Sequence, residues 1–128
     1  MSNLTKYSLE FPINSSVTIL YKRLSTAEGL AEWFADDVFI KDKIYTFYWD
    51  SSEQSAMLLK KENNEYIRFK WEDDNSNEGY FEFFIQIDEM TQDVALLVTD
   101  FAEDEDEKEE QTNLWTKQID QLKRAIGS

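Results

Sequence analysis

The sequence predicts an α+β fold with a curved, seven-stranded antiparallel sheet, a long C-terminal helix and two short helices between strands 1 and 2. Three observations support this prediction. The 128 residues have the length of one domain, so residues 1–128 are predicted to form a single domain. Strand-like segments separated by turn-rich breaks fill residues 37–101 without a helix-length segment between them, as in an antiparallel meander. Helical periodicity occurs only before and after that region.

The first part of the chain predicts a strand followed by a helix. Apolar and polar residues alternate over residues 6–11, which indicates a half-buried strand, and we expect Pro12 to end it. Residues 14–16 (NSS) offer N-cap side chains. Residues 17–24 then repeat apolar side chains at the spacings that an amphipathic helix requires.

A second, shorter helix is predicted directly afterwards. Ser25 and Glu28 match a capping box, in which the serine side chain accepts from the backbone amide of the glutamate. Leu30, Trp33 and Phe34 would lie on one side of this helix. Because a helix of barely two turns is too short to be stable by its own propensity, the two aromatic side chains are predicted to anchor it, as a lid or plug where the sheet and the long helix open.

Six further strands are predicted between the short helices and the C-terminal helix. Asp42 and Lys43 separate the first two of them as a tight hairpin turn. The predicted strands cover residues 38–41, 44–49, 55–61, 66–71, 80–87 and 94–101.

The last segment, from about residue 103 to 126, predicts a long helix that ends at Gly127. Acidic residues occupy its N-terminal end and basic residues its C-terminal end, which matches the helix dipole. The acidic run would also suit a disordered linker or a docking tail, but the dipole and the apolar stripe both favour a helix. The stripe consists of Leu114, Trp115, Ile119, Leu122 and Ile126.

The composition excludes several classes of function. The formal net charge of -14 would repel phosphate backbones and anionic lipid headgroups, so we expect neither nucleic-acid binding nor binding to a membrane surface. No apolar run reaches the length of a membrane span, so we expect no insertion into a membrane, and the N-terminus lacks the apolar core of a signal peptide, which predicts a cytoplasmic protein.

The residue types also limit the chemistry. Histidine and cysteine are both absent, so Ser-His-Asp triads, Cys-His pairs, thiolate zinc sites and histidine metal sites are excluded. Asp73, Asn75 and Asn77 are spaced as in a calcium loop, but Glu78 stands where that loop needs glycine and Phe84 where it needs the closing acid. We therefore predict no enzyme activity, no metal and no cofactor.

Several segments, in their order and spacing, resemble the START-like superfamily, whose helix-grip or Bet v-like fold has a curved sheet wrapped around the C-terminal helix. Within it, the chain is most similar to homologues of the activator of the heat-shock-protein-ninety ATPase. The resemblance extends from residue 7 to residue 126 and departs from the family at Asp42-Lys43, where members often carry small residues. It rests on EGLAEWFADDV (28–38), YTFYWD (45–50), IRFKWE (67–72), VTDF (98–101) and LWTKQIDQLKRAI (114–126).

The resemblance implies a cavity between the sheet and the long helix, and the aromatic residues are candidates to line it. Strand parity places many of them on one face of the sheet. They would either line an apolar pocket or pack on one another as a filled core, and the sequence leaves both open. The candidate lining residues are Trp33, Phe34, Tyr45, Phe47, Trp49, Phe69, Trp71, Phe83, Leu97, Trp115 and Ile119.

Two functions follow as hypotheses, and they are favoured over a third, a cyclase- or hydrolase-like enzyme, because no acid–base pair is identifiable in the sequence. The first is a non-enzymatic domain that binds a hydrophobic, lipid-like small molecule in the cavity. The second is a protein-interaction module, similar to the chaperone-activator homologues, that contacts a protein partner or a second copy of the chain. On the opposite strand parity, Tyr48, Tyr80 and Phe84 are predicted to be exposed unless a partner covers them.

Overall fold

The computed structural model describes residues 4–127 and has the predicted order of elements. The elements are β1 (Thr5–Ile13), α1 (Val17–Ser25), α2 (Ala27–Leu30), β2 (Asp37–Lys41), β3 (Ile44–Trp49), β4 (Ser52–Glu62), β5 (Tyr66–Trp71), β6 (Phe81–Ile87), β7 (Val94–Ala102) and α3 (Glu105–Ile126). All neighbouring strands are antiparallel in the order β1-β7-β6-β5-β4-β3-β2, and β1 and β2 form the two edges of an open sheet. The predicted fold class is confirmed.

β1 continues further than the sequence predicted. Pro12 does not end the strand: it lies opposite Ala95 of β7, and Ile13 lies opposite Val94. β1 is an edge strand, where proline is tolerated because its missing N–H is not needed by a second neighbour.

The boundary between the two short helices also differs from the prediction. Ser25 is the last residue of α1, and its hydroxyl donates to the carbonyl of Tyr21 at 2.8 Å. Thr26 is the N-cap of α2, since its Oγ1 accepts from the N–H of Gly29 at 2.9 Å. A Cβ added at Gly29 would overlap the carbonyl oxygen of Lys22 and lie 2.6 Å from the Cα of Arg23. The two helices are therefore packed backbone to backbone.

The hairpin between β2 and β3 is confirmed. Its two-residue turn places Asp42 at φ 56°, a left-handed conformation that aspartate tolerates better than most residues. The turn can therefore form without the small residues that are common in the family at this position.

The C-terminal helix is confirmed and begins at Glu105, with Asp104 as its N-cap. The Asp104 carboxylate accepts from the N–H of Glu107 at 2.8 Å, and Gly127 ends the helix at φ 73°. Leu114 was predicted to lie in the apolar stripe but is 57% exposed, because it lies on the flank of the buried face. Within the described residues, no helix is both long enough and apolar enough to span a membrane.

The core lies between the inner face of the sheet and the helices. α3 presents Trp115, Ile119 and Leu122 to it. The largest fully buried side chains are Phe47, Phe69, Phe81, Phe83, Leu20, Leu24, Leu30, Ile67, Leu96, Ile119, Leu122 and Val98.

Candidate functional site

Ten of the eleven candidate residues lie in or against one apolar cluster between the sheet and α3. Phe34 lies near the middle of this cluster and is only 4% exposed. The centroids of seven other rings lie 4.8–6.3 Å from its own, in stacked and T-shaped arrangements that favour packing. These rings belong to Trp33, Phe47, Trp49, Trp71, Phe81, Phe83 and Trp115. The aromatic side chains therefore form a packed core around Phe34.

Leu97 is the exception, and its assignment to the inner face is wrong. Leu96 and Val98 are fully buried, whereas Leu97 lies opposite Glu10 of β1 and Phe84 of β6 on the outer face. Successive side chains of a strand point to opposite faces, so the inner positions of β7 are those of Leu96 and Val98.

The segment after α2 is held in place by hydrogen bonds as well as by ring packing. The indole N–H of Trp33 donates to the carbonyl of Arg23 at 2.8 Å. The carbonyl of Phe34 accepts from the indole N–H of Trp49 at 3.0 Å and from the side-chain amide of Gln118 at 3.4 Å. Phe34 thus joins the short helices, β3 and α3 at one point.

An open cleft of about 390 Å³ adjoins this packed core, between the middle of α3 and the strands β3, β4 and β5 near Trp49, Gln54 and Trp71. This volume lies within the range typical of small-molecule sites. Four aromatic rings and one leucine supply its apolar surface, while three glutamines and one aspartate supply its polar groups. The lining residues are Phe34, Trp49, Gln54, Trp71, Asp100, Gln111, Leu114, Trp115 and Gln118.

Asp100 is the charged side chain of this cleft. It lies on the inner face of β7, opposite Tyr7 of β1, two residues beyond the fully buried Val98. Its Oδ2 accepts from the indole N–H of Trp115 at 2.9 Å, and its Oδ1 accepts from the N–H of Phe101 at 2.8 Å. Burial raises the pKa of Asp100 to about 6, against the two hydrogen bonds, which lower it.

Tyr7 and Gln111 continue the polar part of the site behind Asp100. The Tyr7 hydroxyl donates to Oε1 of Gln111 at 2.5 Å, and the Gln111 amide donates to Glu107 at 3.2 Å. Burial raises the pKa of Tyr7, and the Asp100 and Glu107 carboxylates raise it further. The phenol is therefore neutral at physiological pH and serves as a hydrogen-bond donor.

The sequence prediction omitted the polar side chains of the cleft: Gln54, Asp100, Gln111 and Gln118. One signal was available for Asp100, because it has the same strand parity as the apolar Leu96 and Val98 and so breaks the alternation of β7. The glutamines carry no comparable signal. Within residues 4–127, no cluster of acidic side chains is arranged to hold a metal ion.

Comparison with known proteins supports the fold and the family. The sequence matches the START-like superfamily domain over residues 1–128. No curated protein matches it.

Solved structures with the same fold come from several bacteria. BfR322 from Bacteroides fragilis is 36% identical, with 94% of this chain and 90% of that chain covered and a TM-score of 0.69. An Aha1 dimer from Colwellia psychrerythraea is 18% identical, with 95% and 96% covered and a TM-score of 0.79. ChR145 from Cytophaga hutchinsonii is 14% identical, with 94% and 92% covered and a TM-score of 0.73. The chain therefore belongs to the START-like superfamily.

Proposed function

We propose that the protein binds a small, planar, largely apolar molecule in the cleft beside α3 and acts by binding rather than by catalysis. The observation that carries this proposal is the contrast between the packed core and the open cleft. Phe47, Phe69 and Phe83 are fully buried, whereas Trp49 and Trp71 keep part of their surface open toward the cleft. Covering that surface with an apolar ligand would release water from it, which favours binding by about 25 cal/mol per Å² before ordering costs.

The cleft occupies one end of the space in which the cavity was predicted, and this limits the size of the ligand. Phe34 and its neighbouring rings occupy the space between the sheet and α3, so the proposed ligand lies at the end of that space and against the rings, not among them. A flat ring system fits a site whose walls are the partly exposed indoles of Trp49 and Trp71, with the largely buried Trp115 behind them. A long, flexible lipid chain would need a larger volume than the cleft provides.

Leu114 provides a test of this proposal that hardly affects the core. It lines the cleft and is 57% exposed, so Leu114→Ala removes apolar contact from the ligand without removing a buried side chain. With naphthalene-based probes and isothermal titration calorimetry, we expect Leu114→Ala to weaken binding about three- to tenfold, since each methylene is worth about 0.8 kcal/mol when covered.

Leu59 supplies the matched control. It is 45% exposed and belongs to β4, away from the residues that line the cleft, so Leu59→Ala should leave the affinity unchanged. The proposal fails if the probes do not bind the wild-type protein, or if both substitutions weaken binding equally.

A second candidate function is self-association through the outer face of the sheet. That face exposes 60% of Phe39, 46% of Met57 and 39% of Phe84. These apolar side chains lie on the alternate strands β2, β4 and β6 of one face, and the Aha1 protein from Colwellia psychrerythraea was solved as a dimer. We propose a homodimer that covers this face.

Sedimentation analysis over a range of protein concentrations tests this second candidate. We expect a concentration-dependent dimer that Phe39→Glu weakens, because the substitution places a charge on the exposed edge strand. The Leu114→Ala variant, altered on the helix side, should associate as the wild type does. A protein that stays monomeric at the highest concentration would rule out the homodimer.

A further inference from the structure

Asp100 lies at the junction of two neighbouring open spaces. It lines the cleft together with Trp71 and Gln111, and the same three residues line an adjoining recess of about 220 Å³. The recess also contains Glu103, Glu107 and Asp74 among its lining residues, so its walls are strongly acidic. Asp100 therefore borders both spaces.

No basic side chain neutralises Asp100 within residues 4–127. The ion pairs there join Arg23 to Glu32, Arg68 to Glu82 and Lys70 to Asp74. The charged groups that act on Asp100 are Glu107 from α3 and Asp74 from the β5–β6 connection, and both carry the same sign as Asp100.

The groups behind Asp100 do not neutralise it either. From β1, the neutral phenol of Tyr7 faces it, and the ammonium group of Lys108 lies over the Tyr7 ring, 5.7 Å from the centroid. A partly buried carboxylate surrounded by acids and lacking a cation is costly, unless a positively charged ligand completes the site.

The aromatic walls of the cleft favour the same kind of ligand. The faces of tryptophan rings attract cations more strongly than those of other aromatic side chains. Trp49, Trp71 and Trp115 all line the cleft, and the Trp115 indole N–H is bonded to Asp100 at 2.9 Å. The cleft therefore combines π faces, an unpaired carboxylate and a negative local potential.

We propose that the cleft selects aromatic molecules that carry a protonated amine, with the Asp100 carboxylate binding the amine and the tryptophan rings stacking on the aromatic part. This inference rests on the proposed function of the cleft as a small-molecule site and names the class of ligand. Primary and secondary amines of aromatic compounds have the required charge and shape. Neutral and anionic aromatics of equal size bind more weakly.

A pair of probes that differ only in charge tests the inference. 2-(2-Naphthyl)ethylamine and 2-(2-naphthyl)ethanol have the same number of heavy atoms, and their dissociation constants can be measured by isothermal titration calorimetry at pH 7.5 and low salt. We expect the amine to bind the wild-type protein at least about tenfold more tightly, as hydrogen bonds to charged groups are worth more than neutral ones. Asp100→Asn should reduce this preference to less than about threefold.

Asp42→Asn is the matched control. It removes the same charge at the exposed turn between β2 and β3, where asparagine also tolerates the left-handed conformation, and it should leave the preference unchanged. Asparagine at position 100 keeps one acceptor oxygen for the two donors, the Trp115 indole and the Phe101 N–H, so the variant loses one hydrogen bond but is expected to fold.

A measurement on the wild-type protein keeps the test independent of that variant. Because the pKa of Asp100 is about 6, about nine-tenths of this carboxyl is protonated at pH 5 while the amine stays charged, so the preference for the amine should fall about five- to tenfold between pH 7.5 and pH 5. Equal affinities for the two probes, or a preference that survives both Asp100→Asn and pH 5, would overturn the inference while the proposed function stands. If neither probe binds, the proposed function fails and the inference fails with it.

Discussion

Replacing Asp100 with asparagine should stabilise the folded protein at neutral pH, although it removes a hydrogen-bonded side chain. Burial raises the pKa of Asp100 from an ordinary 3.8 to about 6. Since a tenfold change in proton affinity corresponds to about 1.4 kcal/mol, ionising this carboxyl in the folded state costs about 3 kcal/mol. Solvent reaches part of the side chain, so we expect a gain of about 1–2 kcal/mol for Asp100→Asn at pH 7.5.

The difference in stability between Asp100→Asn and the wild type is expected to depend on pH. Below about pH 4 the carboxyl is protonated in both the folded and the unfolded states, so its ionisation contributes nothing to the difference between variant and wild type. Between about pH 4 and pH 6 the unfolded chain ionises first, and the wild type loses stability relative to the variant as the pH rises. Above about pH 6 the full penalty is present.

Urea unfolding followed by tryptophan fluorescence, at several pH values from 3.5 to 8, measures this difference. Asp88→Asn is a control with the opposite sign, because hydrogen bonds from the backbone amides of Thr91 and Met90 lower the pKa of Asp88. That substitution should destabilise the protein at neutral pH and lose its effect as the pH falls. A free energy of unfolding for Asp100→Asn that is below the wild-type value at pH 7.5, or a difference that does not change with pH, would show that ionised Asp100 does not destabilise the folded protein.

Three further substitutions test the packing and the helix termini. Gly29→Ala should destabilise the protein by about 2–3 kcal/mol in urea unfolding, because a Cβ at this position overlaps the Lys22 carbonyl oxygen. An unchanged unfolding midpoint would show that the two short helices separate easily. Trp115→Ala should cost about 3–5 kcal/mol if the ring acts as core, whereas a much smaller loss together with weaker probe binding would make it a wall of the cleft. Asp104→Ala should lower the free energy of unfolding by about 0.5–2 kcal/mol through loss of the N-cap of α3. Thermal unfolding monitored by circular dichroism would detect this loss as a lower midpoint temperature. An unchanged midpoint would mean that the first turn of α3 is frayed in solution.

The sequence predicted the fold well because local patterns determine most of it. Period-two alternation located β1, turn-rich breaks between strand-like segments located the other six strands, and the stripe with its flanking charges located α3. The errors lie where neighbouring residues can play the same role. Ser25 and Thr26 are both suitable N-caps, and only the extent of α1 decides between them. Leu96 and Leu97 are both leucines in an apolar run, so only the pairing of β7 with β1 and β6 assigns the inner position.

The candidate site was predicted only in part, for a different reason. Aromatic residues on one strand parity reveal an apolar interior, but whether their rings fill it depends on how they meet in three dimensions. The packing of Phe34 against rings from β3, β5, β6 and α3 is such a property. The polar side chains of the cleft come from β4 (Gln54), β7 (Asp100) and α3 (Gln111 and Gln118). These elements are far apart in the sequence, so no local pattern connects their polar residues.

The four indole N–H groups allow the most direct test of the central claim, that the cleft beside α3 is the binding site. Trp49, Trp71 and Trp115 line the cleft, whereas Trp33 does not and donates to the Arg23 carbonyl instead. In ¹H–¹⁵N correlation spectra recorded during a titration with 2-(2-naphthyl)ethylamine, we predict that the three cleft indole signals shift together with one dissociation constant while that of Trp33 stays in place. Shifts confined to backbone amides of the outer sheet face, or a Trp33 shift without those of the other three, would show that the amine binds outside the cleft.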